Sequence, residues 1–370
     1  MDKKHFVHVF PTFELGGTEL RACRVINGLG SQYRHTIIPM DKNTECKAWI
    51  EPGIDVQFLF PPESRSFIGL VMGLKKMLKD LAPDLLLTYN WGSIDSVLAA
   101  RMAGIKKIIH IVGGFNPDEA RRQKTRRVLA RMVLLRNISA LIVKSKKSFE
   151  IARKIWRIPE KLIHHIPNGI ECKPFDYAEV EKIKQTLGLY GRECVFGTAA
   201  AMTEVKNLEL LIKCFAQVAK DRNICLVIAG DGPQRKSLAQ LARDLGVSEK
   251  IKFVGIVRNI SAFMAALDVF VLSSKTEQMP NAAMEGMCAE LPVVSTDVGD
   301  VREMVSGLNK RFIVPLDDEA AYANALLYFI ENKTERKTIG QDNREKVLSV
   351  YPWKKCIESY ENLFNEVLGK

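Results

Sequence analysis

No stretch of this 370-residue chain approaches the roughly 20 consecutive apolar residues that cross a bilayer. No segment is of low complexity and no short period repeats. The opening Met-Asp-Lys-Lys-His-Phe-Val-His-Val-Phe is too short and too broken in its apolar part for a signal peptide, and reads instead as a first buried strand. Cysteines of metal-ligand spacing are also missing: Cys23, Cys46, Cys172, Cys194, Cys214, Cys225, Cys288 and Cys356 are scattered. Several sit inside apolar runs, as in Ile-Cys-Leu-Val-Ile at 224–228, so buried free thiols in a reducing cytosol are expected. Two nucleotide fingerprints are lacking, the Gly-x-Gly-x-x-Gly of a dinucleotide site and the lysine of a phosphate-binding loop, which argues against a nicotinamide dehydrogenase. Acid is in short supply too. With 43 Asp and Glu against 54 Lys and Arg the net charge is +11, which favours polyanions. No helix-turn-helix, zinc or RNA-binding signature accompanies that charge, so nucleic acid is not the expected partner.

What is present is alternation. Phe6–Phe10, Thr36–Ile38, Val56–Phe60, Leu85–Leu87, Ile108–Val112, Ala140–Val143 and Leu162–Ile166 are short apolar runs separated by amphipathic ones. After the turn Pro167-Asn168-Gly169 the pattern restarts with Cys194–Thr198, Leu226–Ala229, Ile251–Val254, Val269–Leu272, Val293–Ser295 and Phe312–Val314. Continuous apolar strands between amphipathic helices imply parallel sheets covered on both faces. The expected architecture is α/β, with one doubly wound domain over 1–175 and another over 176–350. A last helix over 351–370 carries Trp353, Tyr360 and Phe364 on one stripe, and packs either on the second domain or back on the first.

Three constellations could carry chemistry. Gly16-Gly17-Thr18-Glu19 follows the first strand and opens a helix, where backbone amides can approach an anion. Lys206-Asn207 follows the first strand of the second domain, where a lysine can neutralise a departing diphosphate. The run Glu277-Gln278-Met279-Pro280-Asn281-Ala282-Ala283-Met284-Glu285 follows Val269–Leu272. Glu277 lies in the turn, positioned to accept bonds from sugar hydroxyls. Glu285 lies on the helix, where it can clamp a ribose diol, and the amides between them form a helix start suited to phosphate, Pro280 excepted. Each feature alone has an ordinary structural explanation: a closed turn, a surface lysine, a carboxylate complementing the helix dipole.

Taken together and in order, Gly-Gly-Thr-Glu, Ile-Pro-Asn-Gly-Ile at 166–170, Lys206-Asn207, Ile-Ala-Gly-Asp-Gly-Pro at 228–233, Phe-Val-Gly at 253–255, Glu277-x7-Glu285 and Leu-Pro-Val-Val-Ser-Thr-Asp-Val-Gly at 291–299 resemble the family 4 glycosyltransferases. The resemblance implies a GT-B fold, two Rossmann-like doubly wound domains facing a central cleft, and transfer of a hexosyl residue from a nucleoside-diphosphate sugar to a glycan or lipid-linked acceptor with retained configuration. It places Glu277, with Gln278, Met279, Pro280 and Asn281, on the donor, Glu285 on the ribose, Lys206 on the diphosphate near Gly16 and Gly17, and Val257 and Arg258 at the base. No metal or other cofactor is expected.

The chain departs from that pattern. Ala201 stands where the family usually has arginine, Gln278 where glycine is common, and Val112 where a histidine often precedes the glycine now numbered 113. His110, two residues earlier, is the candidate catalytic histidine. Ala201 also admits a catalytically degenerate, sugar-nucleotide-binding protein of the same fold. Finally, Asn116-Pro117-Asp118-Glu119 reads as a helix start, with a basic helix running from Arg121 to Arg136. Its Arg121, Arg122, Lys124, Arg126 and Arg127 are expected either to meet an anionic membrane surface or a phosphorylated acceptor, or to be merely solvated. A cytoplasmic protein, peripheral on the cytoplasmic face of the membrane, is the corresponding expectation.

Overall fold

A computed structural model describes residues 3–114, 119 and 123–369. The chain divides into two compact units, one comprising the residues up to Pro167 together with those from Lys354 onward, the other Asn168–Trp353.

Unit 1 is built on strands β1 (Lys4–Phe10), β2 (Tyr33–Pro39), β3 (Asp55–Phe58), β4 (Leu85–Tyr89), β5 (Ile108–Val112), β6 (Ala140–Val143) and β7 (Ile163–His165). They form one sheet in the order β3-β2-β1-β4-β5-β6-β7, parallel at every pairing. Helices cover both faces, so the central strands β1, β4 and β5 are buried almost throughout. β3 ends two residues earlier than the sequence suggests: Phe60 lies beyond the sheet edge, half exposed. Polar side chains inside this sheet find one another. His5 Nε2 pairs with Thr36 Oγ1 at 2.8 Å, His8 Nε2 with His35 Nδ1 at 3.0 Å, and His8 Nδ1 with the Tyr89 hydroxyl at 3.0 Å.

The terminal helix Trp353–Leu368 packs within unit 1, burying Cys356, Tyr360, Leu363 and Phe364. Phe364 meets Phe6 edge to face at 5.5 Å between centroids. Burying side chains of this size stabilises by about 1.5–3 kcal/mol each, enough to hold an amphipathic helix that has little propensity of its own.

Unit 2 repeats the plan with β8 (Cys194–Ala199), β9 (Ile224–Ala229), β10 (Ile251–Gly255), β11 (Val269–Leu272), β12 (Val293–Thr296) and β13 (Ile313–Val314). The sheet order is β10-β9-β8-β11-β12-β13, again parallel. One face packs Phe196, Phe215, Tyr322 and Phe329; the other packs Phe263, Phe270, Met284 and Met287. In both units sequential strands turn outward from the middle of the sheet. The order reverses between β1 and β4 in unit 1 and between β8 and β11 in unit 2, and doubly wound sheets bind ligands beside the carboxyl ends of the strands at such a point.

Two expectations are corrected here. Cys172 and Cys288 are not free thiols: they form a disulfide across 116 residues, while the remaining six cysteines are reduced and buried. The basic helix runs from Thr125 to Leu134. Asn116, Pro117, Asp118, Arg121 and Arg122 lie outside the described residues.

Candidate functional site

The switch point of unit 2 gathers the second and third constellations. After β8 the chain passes Ala201 and enters a short turn, Glu204–Lys206, closed by Asn207 in the left-handed conformation. After β11 it passes Ser273 and Ser274 to reach Glu277. Although 71 residues separate them, Lys206 Nζ donates to Glu277 Oε1 at 2.5 Å, and the Ser274 hydroxyl donates to the same oxygen at 2.8 Å. The backbone is tied as well: Ser273 Oγ donates to Lys206 O at 3.0 Å, Lys275 N to Val205 O at 2.8 Å, and Thr296 Oγ1 to Ser274 O at 2.7 Å. Lys206 and Glu277 remain partly open, with side chains 28% and 13% exposed. A partly solvated cation and a more enclosed carboxylate at a strand end therefore face each other where an arriving polar ligand can separate them. Lys275, an alternative source of positive charge, is occupied otherwise: its Nζ meets Glu204 at 3.0 Å. Ala201 is exposed and adds no charge.

The helix Asn281–Cys288 begins directly after this turn, with Pro280 at its N-cap. Gln278, Met279 and Pro280 are buried, while Asn281 and Glu285 are half-exposed. Val257, half-exposed, and Arg258, exposed, follow β10.

Three residues that frame the turn were not among the expected site residues. Asn168 Nδ2 donates to Met279 O at 2.8 Å and to Asn281 Oδ1 at 3.0 Å, fixing the start of the helix. Asp300 N donates to Gln278 O at 2.9 Å. Gly299 has φ +53°, and a Cβ there would stand 2.2 Å from Gln278 O and 2.6 Å from Glu277 O. Only glycine allows this close approach of two backbones. The signal was in the sequence as Asn168-Gly169, read as a turn, and as Asp297-Val298-Gly299, the end of a motif of the resemblance to which no role was given.

In unit 1, Gly16 and Gly17 open the helix Gly17–Leu29 as expected, with Leu20 N bonded to Gly16 O at 2.9 Å. A Cβ at Gly17 would meet nothing within 4 Å, so the fold itself does not demand glycine there. His110, the candidate catalytic histidine, is enclosed within the sheet of unit 1. It lies inside β5, 2% exposed, with Nδ1 bonded to Thr88 Oγ1 at 2.8 Å. Burial, reinforced by the nearby charge of Arg131, pushes its pKa down to about 3, so it stays neutral and structural.

The basic segment is also redistributed. Arg127 is not part of a surface patch: its Nη1 donates to buried Glu119 at 3.0 Å, and its guanidinium lies 5.2 Å from the Trp91 ring centroid. Arg131 reaches Glu119 with two bonds, at 3.0 and 3.1 Å, and lies between Trp91 and Trp156. Lys124 and Arg126 stay exposed, as do Leu129 and Val133, which are 55% and 67% exposed.

Residues 179–346 match the family described as glycosyl transferases group 1, and residues 15–173 match Glycosyltransferase Family 4. The N-acetyl-alpha-D-glucosaminyl L-malate synthase of Bacillus anthracis is 22% identical over 210 residues, 57% of this chain and 55% of that protein; the chain thus spans about half the length of that relative. The UDP-Gal:alpha-D-GlcNAc-diphosphoundecaprenol alpha-1,3-galactosyltransferase of Escherichia coli is 25% identical over 332 residues, 85% of this chain and 84% of that one. Among solved structures, Anabaena HepE in complex with UDP-glucose superposes with a TM-score of 0.82 at 19% identity, covering 97% of this chain and 99% of that chain. Sucrose-phosphate synthase of Thermosynechococcus elongatus gives 0.81 at 18% identity, covering 99% and 100%. These likenesses establish the fold as GT-B. Among the described residues, no helix is long and apolar enough to cross a membrane.

Proposed function

The chain belongs to the family 4 glycosyltransferases, and from that premise we propose that it transfers a hexosyl residue from a nucleoside-diphosphate sugar to a hydroxyl of a glycan or lipid-linked acceptor, with retention and without a metal. The Lys206–Glu277 pair at the β8/β11 switch point carries this reading. A diphosphate arriving beside Lys206 offers more negative charge than Glu277 does, so Lys206 turns to the phosphate. Glu277 is released to accept hydroxyl groups of the sugar, still held by Ser274. The ammonium then stabilises charge as it develops on the departing phosphate, together with the amides at the start of the helix Asn281–Cys288. Glu285, further along that helix, takes the ribose. Glu277 serves as a hydroxyl ligand and not as a nucleophile. The E. coli relative, named for a diphosphoundecaprenol-linked substrate, supports a lipid-linked acceptor.

The experiment is donor turnover. With Ala201 neutral and Lys275 held by Glu204, Lys206 is the principal counter-charge, and Lys206→Ala should lower kcat by about 10²-fold, the effect of losing one preorganised donor. Loss of no more than a few-fold, in a variant that binds free nucleoside diphosphate like the parent, would refute the assignment. Absence of any donor hydrolysis or transfer by the parent, despite nucleotide binding, would favour the degenerate alternative that Ala201 suggests.

For location, we propose peripheral attachment to anionic lipid on the cytoplasmic face. The supporting face is narrower than the sequence implied: Arg126, Leu129 and Val133 fall on one stripe of their helix. This couples a cation to two exposed apolar side chains, as interfacial helices do.

A further inference from the structure

Two carboxamides meet at the start of the helix Asn281–Cys288, and their orientations follow from which atoms can donate and which can accept. Asn168, 5% exposed, supplies the first. One of its side-chain atoms lies 2.8 Å from Met279 O. A backbone carbonyl only accepts, so that atom is Nδ2 and the amide cannot be turned over. Asn168 N is held as well, donating to Met279 Sδ at 3.1 Å. This orientation has a cost: Asn168 Oδ1 is enclosed, with no hydrogen bond from any described residue.

The second orientation is set by the first. The remaining proton on Asn168 Nδ2 points to the Asn281 side chain, 3.0 Å away and 113 residues along the chain. The atom that receives it must be an acceptor, so Asn281 turns Oδ1 inward to Asn168 and Nδ2 away from it. Asn281 is half-exposed. No described residue accepts from its Nδ2, and that atom is not one of the enclosed polar atoms that lack a partner. Its N–H groups are therefore open at the first residue of a helix that has no side-chain cap, where backbone amides and the helix dipole already favour an anion. Among the described residues, no packing partner requires an amino group there. Aspartate would accept the Asn168 bond equally well and would suit the helix start better.

We propose that Asn281 Nδ2 donates to an oxygen of the nucleotide's diphosphate, and that Asn168 is the positioning residue that holds this amide in its donating orientation. This rests on the nucleotide-sugar reading above, and adds a neutral hydrogen-bond donor to a site where Ala201 contributes no charge.

Calorimetry on the full chain with UDP, GDP, ADP and TDP shows which nucleoside diphosphate binds, and Asn281→Asp is titrated with that one. The variant keeps the bond from Asn168 and exchanges the outward donor for an anionic acceptor. Affinity should fall roughly tenfold or more, while the melting temperature without ligand stays at or above that of the parent. Equal affinity overturns the proposal and leaves the nucleotide-sugar reading standing; binding of none of the four by the parent overturns both. Asn281→Ala, which adds no charge, should lose about threefold, and binding like the parent's overturns the proposal. Asn168→Ala should weaken binding by about as much in the parent, yet change nothing in the Asn281→Ala background, because its effect passes through that amide. Additive losses would show Asn168 to act by shaping the turn alone and would overturn its assignment. Should Asn168→Ala fail to fold, Asn168→Ser takes its place in the cycle.

Discussion

Replacing Gly299 by alanine is the sharpest available perturbation of the donor turn, because it adds one methyl group and leaves the Lys206 and Glu277 side chains in place. Two costs arise. The backbone at 299 sits at φ +53°, where an L-residue with a Cβ loses about 1–2 kcal/mol. The new Cβ would also stand 2.2 Å from Gln278 O and 2.6 Å from Glu277 O, so the turn must withdraw by about 1 Å to restore ordinary contact. That withdrawal strains the Asp300 N to Gln278 O bond, adding about 1 kcal/mol. The total, roughly 2–3 kcal/mol, should lower the melting temperature of a domain of this size by about 4–12 °C. Activity should suffer more than stability implies, since a 1 Å displacement of a positioning group costs about 10²-fold in kcat/KM. Calorimetry and donor turnover on the same preparation measure both effects. Gly307→Ala is the control, because a Cβ there would meet nothing within 4 Å and its φ is not positive; it should behave like the parent. If Gly299→Ala retained kcat/KM within about threefold at an unchanged melting temperature, the approach of the 299 backbone to the donor turn would not govern the site.

Glu285→Ala should weaken binding of free nucleoside diphosphate by calorimetry, whereas Glu277→Ala should reduce turnover more than nucleotide affinity; equal affinity of Glu285→Ala and the parent would remove the ribose assignment. Burial holds His35 at about 4 and His110 at about 3, against an ordinary 6.5. Between those values the unfolded chain binds more protons, so this stabilisation is complete above pH 6.5 and fades as the pH falls toward 4. Each group should cost about 2 kcal/mol between pH 7 and pH 5, about 4 together; a flat melting temperature over that interval would contradict it. Co-sedimentation with vesicles should rise with anionic lipid, fall with salt and drop when Arg126 and Leu129 become Ser; equal recovery on neutral vesicles would end the membrane assignment.

The sequence revealed the strands more readily than it revealed partnerships. Continuous apolar runs marked β8 and β11 almost to their ends, because a strand buried on both faces leaves few alternatives to apolar side chains. The same double burial hid the role of His110: a polar residue in such a strand looks functional until Thr88, from the neighbouring strand, is seen to satisfy it. Helix periodicity could not show that Arg127 and Arg131 turn inward. Their destination depends on Glu119, Trp91 and Trp156, which reach them from three separate segments. Cys172 and Cys288, 116 residues apart, had no spacing rule to join them. The Lys206–Glu277 pair was legible only as two neighbouring constellations; their contact follows from the strand order, which places the ends of β8 and β11 side by side.

The disulfide acquires a mechanical meaning beside Asn168. The helix Asn281–Cys288 rises about 12 Å along its axis, and the four steps from Asn168 to Cys172 span at most about 13–14 Å when extended. Asn168 grips the start of that helix and Cys172 is welded to its last residue. This short segment is therefore a stay with little slack, moored at bow and stern of the helix that presents Glu285. The helix cannot slide along its axis unless a mooring parts, and the Asn168 hydrogen bonds are the weaker of the two. Reduction of the disulfide would free one end without altering any residue assigned to the donor.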